Sequence, residues 1–258
     1  LPAERRRTKA LTSLLAKGIS PWGKLGELLL FPSSCQICKA LLERPGEKVV
    51  CGKCLAHLRG TGPPFCLCCG RFFAPPGESH LCADCLDERP PFSRHRSAAR
   101  YEGIVKDIIH LFKYRGFEGL SRVLAEFIIG SLGEDEDIWA GVEGVVPVPL
   151  HPAKERARGF NQAQLLAQRL AKIKRVPLLK RRLVKIRPTE AQTSLDGRSR
   201  ETNLRGAFTV RRPAAVKGKT LLLVDDVYTT GSTIRECGAV LREAGAREVR
   251  AITIARAG

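Results

Sequence analysis

The sequence predicts an α/β protein in which a mostly parallel sheet flanked by helices follows a small cysteine-rich module. Three observations carry that prediction. In the last two-thirds of the chain, strand-length apolar runs alternate with helix-length segments, the order of a parallel sheet with crossover helices. Ahead of them, eight of the 10 cysteines fall into CxxC pairs between residues 35 and 85. Residues 221–234, LLLVDDVYTTGSTI, join a buried strand to two acids, a turn of small residues and a helix start.

Taken in order, residues 1–31 read as an N-terminal arm with a short helix. Its basic start and broken apolar run lack a clean cleavage site, which argues against an export signal, and its apolar end, LGELLLF, is expected to pack on the first cysteine knuckle. Residues 32–90 form the cysteine module, punctuated by proline and glycine turns, and residues 91–258 the α/β domain. There, SAARY reads as a strand and residues 104–114 as an apolar-periodic segment, with another through Leu120, Leu124, Phe127 and Ile128. The acidic GEDEDIWAG is a surface loop and VEGVVPVPL a strand. A long loop, VPVPLHPAKERARGFNQ, leads into the amphipathic helix NQAQLLAQRLAKI, with Asn161 as its cap. The segment at 187–208 has too few apolar residues for core.

The cysteines fall into two quartets: Cys35, Cys38, Cys51 and Cys54, then Cys66, Cys69, Cys82 and Cys85. Each CxxC sets two thiolates on one knuckle, and a second knuckle a dozen residues on closes a tetrahedral site. The reading is two structural zinc ions, with a cross-braced pairing of the knuckles also open. So small a module buries too little surface to hold itself without such staples. Cys68 and Cys237 fall outside both quartets and read as small buried residues, His57 and His80 as exposed ones.

A formal net charge of +18, with 43% hydrophobic residues, describes a globular protein with an appetite for phosphate. The excess is concentrated: residues 151–215 hold 17 Lys and Arg against four acids. Such a patch suits a polyphosphate or a nucleic-acid backbone. No apolar run reaches the roughly 20 residues of a membrane span, and a cytoplasmic location is expected. In the acid-turn-helix stretch, backbone N–H groups and the helix N-terminus converge on one spot, with the hydroxyls of Thr229, Thr230, Ser232 and Thr233 around Gly231. That is a cradle for a phosphate, and Asp225 and Asp226 beside it suit ribose hydroxyls or hydrated Mg²⁺. Lys154, Arg156 and Arg158 bring positive charge to a second strand-to-helix loop.

The motif resembles the phosphoribosyl-pyrophosphate (PRPP) motif of type I phosphoribosyltransferases. The resemblance implies that Asp225 and Asp226 handle the ribose hydroxyls while Thr229, Thr230, Gly231, Ser232 and Thr233 wrap the 5-phosphate. Purine-salvage members usually carry Asp at the first loop position, where this chain has Thr229, which weakens a purine-base acceptor. Across nearly the whole chain, LFPSSC, the paired knuckles, RYEGIVKDIIHLFKYRG, VPVPLHPAKERARGFNQA, RPTEAQTSLDGRSRETNLRGAF and VDDVYTTGST resemble the ComF family of competence-associated phosphoribosyltransferase-like proteins. That resemblance implies a double zinc ribbon joined to a type I phosphoribosyltransferase fold. It also implies a flexible hood at 187–208, Mg²⁺ carried with PRPP, and support of single-stranded DNA uptake in natural transformation.

Two functions follow from it. In the first, the chain is a pentosyl-transferring enzyme of nucleotide or base metabolism, with Lys154, Arg158, Arg198 and Arg200 as candidate catalytic cations stabilising the departing pyrophosphate. In the second, which the resemblance favours, a PRPP-binding protein handles single-stranded DNA and works beside other DNA-uptake proteins. Phe160 or Tyr114 would then stack on bases, and Arg181 and Arg182 would track the backbone.

Overall fold

The computed structural model describes residues 34–42, 49–114, 116–132, 136–188 and 204–258. The arm with its LGELLLF run, and the hood segment from 189 to 203 with Arg198 and Arg200, lie outside these. The chain divides into two compact units, Leu1–Gly52 and Lys53–Gly258.

The two knuckle regions repeat one local design. In each, the residue after the second cysteine has a left-handed backbone, Lys39 and Gly70 both at φ 65°. In each, an amide from the later knuckle reaches back to the first thiol: Cys51 N to Cys35 Sγ at 3.4 Å, Cys82 N to Cys66 Sγ at 3.3 Å. Two short helices follow, α1 (Gly52–Leu55) and α2 (Ala83–Asp87). Gly70 is needed for more than its φ. A Cβ there would sit 2.6 Å from the His95 carbonyl, so only glycine lets the second ribbon close on the strand that follows it.

Within Lys53–Gly258, four parallel strands run in the order β1, β6, β5, β2. They are β1 (Arg94–Arg100), β2 (Gly144–Pro147), β5 (Thr220–Tyr228) and β6 (Glu248–Arg256). Between β1 and β2 come α3 (Gly103–Tyr114), α4 (Leu120–Ser131) and the short α5 (Glu136–Trp139). After β2 come α6 (Pro152–Arg158) and α7 (Gln162–Lys174), and α8 (Ser232–Glu243) joins β5 to β6. A separate antiparallel pair, β3 (Leu183–Lys185) with β4 (Phe208–Val210), brackets the hood segment.

Residues 221–224 are fully buried, as a strand covered on both faces must be. On one face, Leu221 and Leu223 share a core with Ile234, Cys237 and Leu241 of α8, and with Cys66, Cys69, Cys82 and Cys85. By strand alternation Leu222 and Val224 point the other way. The second quartet, read from sequence as part of the 32–90 module, therefore packs in one core with the sheet.

Three local expectations are corrected. The loop after β2 contains a helix, because His151 accepts from the Ala153 amide as N-cap, Pro152 starts the first turn and Gly159, at φ 88°, ends it. The acidic loop closes into α5, whose Ile138 is fully buried. The polar 187–208 segment ends in core: Leu204, Ala207 and Phe208 are all buried, held beside β3 by backbone pairing.

Candidate functional site

A cavity of about 570 Å³ opens at the carboxyl ends of β5 and β2. The Val148 amide donates to the Val224 carbonyl at 2.9 Å, so Asp225 and Asp226 emerge where the two strands stop pairing. This is where parallel sheets collect ligands, outside the strand ends. Asp225, Asp226, Thr229, Gly231 and Thr233 line the cavity from one side, and Lys154 and Arg158 from α6 line it from another. Thr230 and Ser232 belong to the same turn, their hydroxyls 2.7 Å apart. The structure thus brings together the acids, the turn and the α6 cations that the sequence singled out.

The turn has its shape from Gly231, which caps α8 at φ 83°. A side chain there would need a left-handed backbone and would overlap the phenol of Tyr228. Gly231, Thr233 and Ile234 put the first turn of α8 on the cavity wall, and a helix start is the kind of end at which anions bind.

Electrostatics divide the two acids. Burial, then the neighbouring Asp226 carboxylate, pushes the Asp225 carboxyl up to about 7, although the Asp226 amide donates to it at 2.8 Å. Asp226 is held by Lys113, Nζ to Oδ1 at 2.7 Å, with both side chains mostly buried. Burial works against the Lys113 charge, but Asp226 outweighs it and holds the ammonium above its ordinary range. Lys113 was missed by the sequence reading, because the last turn of an apolar helix gives no sign that it reaches an acid over 100 residues away. Lys154 is depressed by burial and then by Arg158, and Lys185, from β3, by burial and then by Lys154. Cations that push one another's charge down define a cavity suited to a polyanion.

Asn161 fixes the frame between these groups. Its side chain accepts from the Gln164 amide at 3.2 Å, capping α7 as expected, and donates to the Val148 carbonyl at 3.0 Å. Arg158 donates to Gln162 Oε1 at 2.7 Å and lies over the Tyr114 ring at 5.0 Å. Tyr114 is 62% exposed at the cavity. Phe160 is not available for stacking: it is buried against Phe112, ring centroids 5.9 Å apart.

The cysteines form two separate quartets, so the knuckles pair sequentially and are not cross-braced. In each quartet the ligand atoms lie within 4.8 Å of one another. Cys38 and Cys51 sulfurs are 3.7 Å apart, as are those of Cys69 and Cys82. Tetrahedral zinc with Zn–S bonds of about 2.3 Å requires roughly this spacing. Cys68 and Cys237 are buried outside the quartets, and His57 and His80 are exposed.

Sheet, acid pair and ribbons define a zinc-ribbon protein with a type I phosphoribosyltransferase fold. Residues 28–86 match the double zinc ribbon domain and residues 156–258 the phosphoribosyl transferase domain. Competence protein F of Haemophilus influenzae is 30% identical over 178 residues, covering 67% of this chain and 76% of that protein. DNA utilization protein YhgH of Escherichia coli K12 is 30% identical over 232 residues, covering 89% and 99%. Competence protein ComFC of Streptococcus pneumoniae is 30% identical over 162 residues, covering 63% and 68%. The chain belongs to the ComF family. Among the described residues no helix is long and apolar enough to cross a membrane.

Proposed function

We propose that the chain binds PRPP at the β5–α8 turn and serves single-stranded DNA handling of the kind that the names of its relatives indicate. The observation that carries this reading is the single cavity in which an acid pair, a glycine turn at a helix N-terminus and the cations Lys113, Lys154, Arg158 and Lys185 converge. The 5-phosphate would lie on the turn, with Thr230, Ser232 and Thr233 donating hydroxyls. Asp225 and Asp226 would accept from the ribose hydroxyls. Lys154 and Arg158, with Arg198 and Arg200 of the hood, would bind the pyrophosphate and hold its charge as the C1–O bond breaks, if an acceptor is present.

The donor set on the acids is hard carboxylate oxygen, which suits Mg²⁺ in chemistry, although Lys113 already occupies one Asp226 oxygen. Mg²⁺ bound with PRPP would neutralise pyrophosphate charge and strengthen it as a leaving group. Single-stranded DNA is matched by a second feature. Pairing of Leu183 with Val210 sets Arg181 and Arg182 beside Arg211 and Arg212, an extended basic surface. Domain limits of 1–31, 32–90 and 91–258, with the second ribbon of the middle segment packed into the core of the last, and a cytoplasmic location complete the reading.

Calorimetric titration of the purified chain with PRPP and with single-stranded DNA, each with and without Mg²⁺, tests it. Saturable PRPP binding and salt-dependent DNA binding are expected. Absence of PRPP binding under all conditions would refute the sugar-phosphate site. Pyrophosphate release with a base acceptor and no DNA binding would instead support an enzyme of nucleotide metabolism.

A further inference from the structure

The Cys69 carbonyl, on a ligand of the second zinc quartet, accepts two buried hydrogen bonds. His95 Nδ1 donates to it at 2.9 Å and Arg256 Nη1 at 2.7 Å. Because a carbonyl only accepts, Nδ1 carries the proton. Nε2 faces the Thr253 hydroxyl at 3.1 Å. Both donors rest on the ring of Tyr228: the imidazole at 4.3 Å between centroids, the guanidinium at 4.2 Å. Tyr228 ends β5, and its phenol fills the space that a side chain at Gly231 would take. A buried column thus runs from a zinc ligand to the glycine of the phosphate turn, entirely within Lys53–Gly258.

Arg256 is the sensitive point. It is a buried cation whose Nε has no hydrogen-bond partner. What offsets its desolvation is the Cys69 carbonyl and the π face of Tyr228. Zinc at the quartet would tie the knuckle that carries Cys69 to the one that carries Cys82 and Cys85, and so hold the Cys69 carbonyl in place. Loss of the ion therefore releases the Cys69 carbonyl from its place and loosens the platform under Tyr228. The Gly231 turn then loses the ring that backs it.

We propose that His95, Arg256 and Tyr228 are positioning residues that tie the second zinc site to the phosphate turn, so that zinc occupancy at Cys66, Cys69, Cys82 and Cys85 and PRPP affinity are linked. The link rests on the PRPP reading above. Zinc in this ribbon then serves the ligand site as well as the local fold, and by reciprocity bound PRPP tightens the zinc.

The test uses the full chain, with equilibrium zinc competition against a chelating dye and PRPP titration beside it. Tyr228→Leu keeps an apolar side chain but removes the ring. It is expected to weaken PRPP binding at least tenfold and to lower the affinity for one zinc, while Tyr228→Phe recovers both. In the parent protein, saturating PRPP is expected to raise that zinc affinity by the factor by which zinc raises PRPP affinity, an arm that needs no variant to fold. A Tyr228→Leu protein with parental zinc affinity, or a parent whose zinc affinity ignores bound PRPP, overturns the proposal. If the parent binds no PRPP, the proposed function fails, and the zinc affinities of Tyr228→Leu and Tyr228→Phe alone decide the link.

Discussion

Asp225 keeps its proton in the folded chain until about pH 7, whereas an unfolded aspartate loses it near pH 3.9. As pH rises through that window the unfolded state ionises first, so Asp225 withdraws stability progressively and most fully above pH 7. In the ligand-free protein, Asp225→Asn should be about as stable as the parent at pH 4 and more stable at pH 7.5, by on the order of 2–4 kcal/mol. Denaturant melts of both proteins at each pH measure it, the comparison cancelling any common effect of zinc. The pair Asp225→Asn and Asp226→Asn should abolish PRPP binding while remaining folded, and parental affinity would remove these carboxylates from the site. Gly231→Ala should also lose PRPP binding, since a left-handed backbone costs a non-glycine residue about 1–2 kcal/mol before the overlap with Tyr228 is counted. The acids and the turn were legible because strand, acids and glycine are consecutive. Lys113, His95 and Arg256 were not, because each acts across more than 25 residues of chain, through contacts that no local pattern encodes.

Among the elements, α7 depends on a single cap that also holds the strand beside it. Asn161→Ala would strand the Gln164 amide and the Val148 carbonyl together, and a loss of about 1–3 kcal/mol is expected in denaturant melts. A loss well under 0.5 kcal/mol would show that water replaces the side chain. The β3–β4 pair carries the DNA prediction. Arg181→Ala with Arg182→Ala should weaken single-stranded DNA binding and flatten its log–log salt dependence by about 1.4, the value for two lost phosphate contacts. An unchanged slope in a salt series would make this surface a bystander. The helices α3, α4 and α7 could be read from their apolar spacing, since each buries one face. Helix α6 could not, as none of its residues is buried and only its caps mark it. Strands of three residues whose pairing spans the hood leave no periodicity to read.

Across the whole molecule, the two ribbons share their CxxC spacing, and the second is built into the α/β core. The second quartet shares a core with Phe92, Tyr228 and Val249, so its staple acts on more than its own module. Metal analysis should find about two zinc ions per chain, and Cys82→Ser should lose one of them and lower the melting temperature of the α/β domain as well. A Cys82→Ser protein whose α/β domain melts like the parent's would restore the reading of a self-contained ribbon module. The strand order has a consequence for synthesis. Strand β6, at Glu248–Arg256, lies between β1 and β5, so the two halves of the sheet meet only through it. On the ribosome, a nascent chain that has reached residue 247 already holds β1, both acids and all the zinc thiols, yet lacks the strand that joins them. The sheet cannot close before β6 is made, so the edges of β1 and β5 that it joins stay unpaired until then.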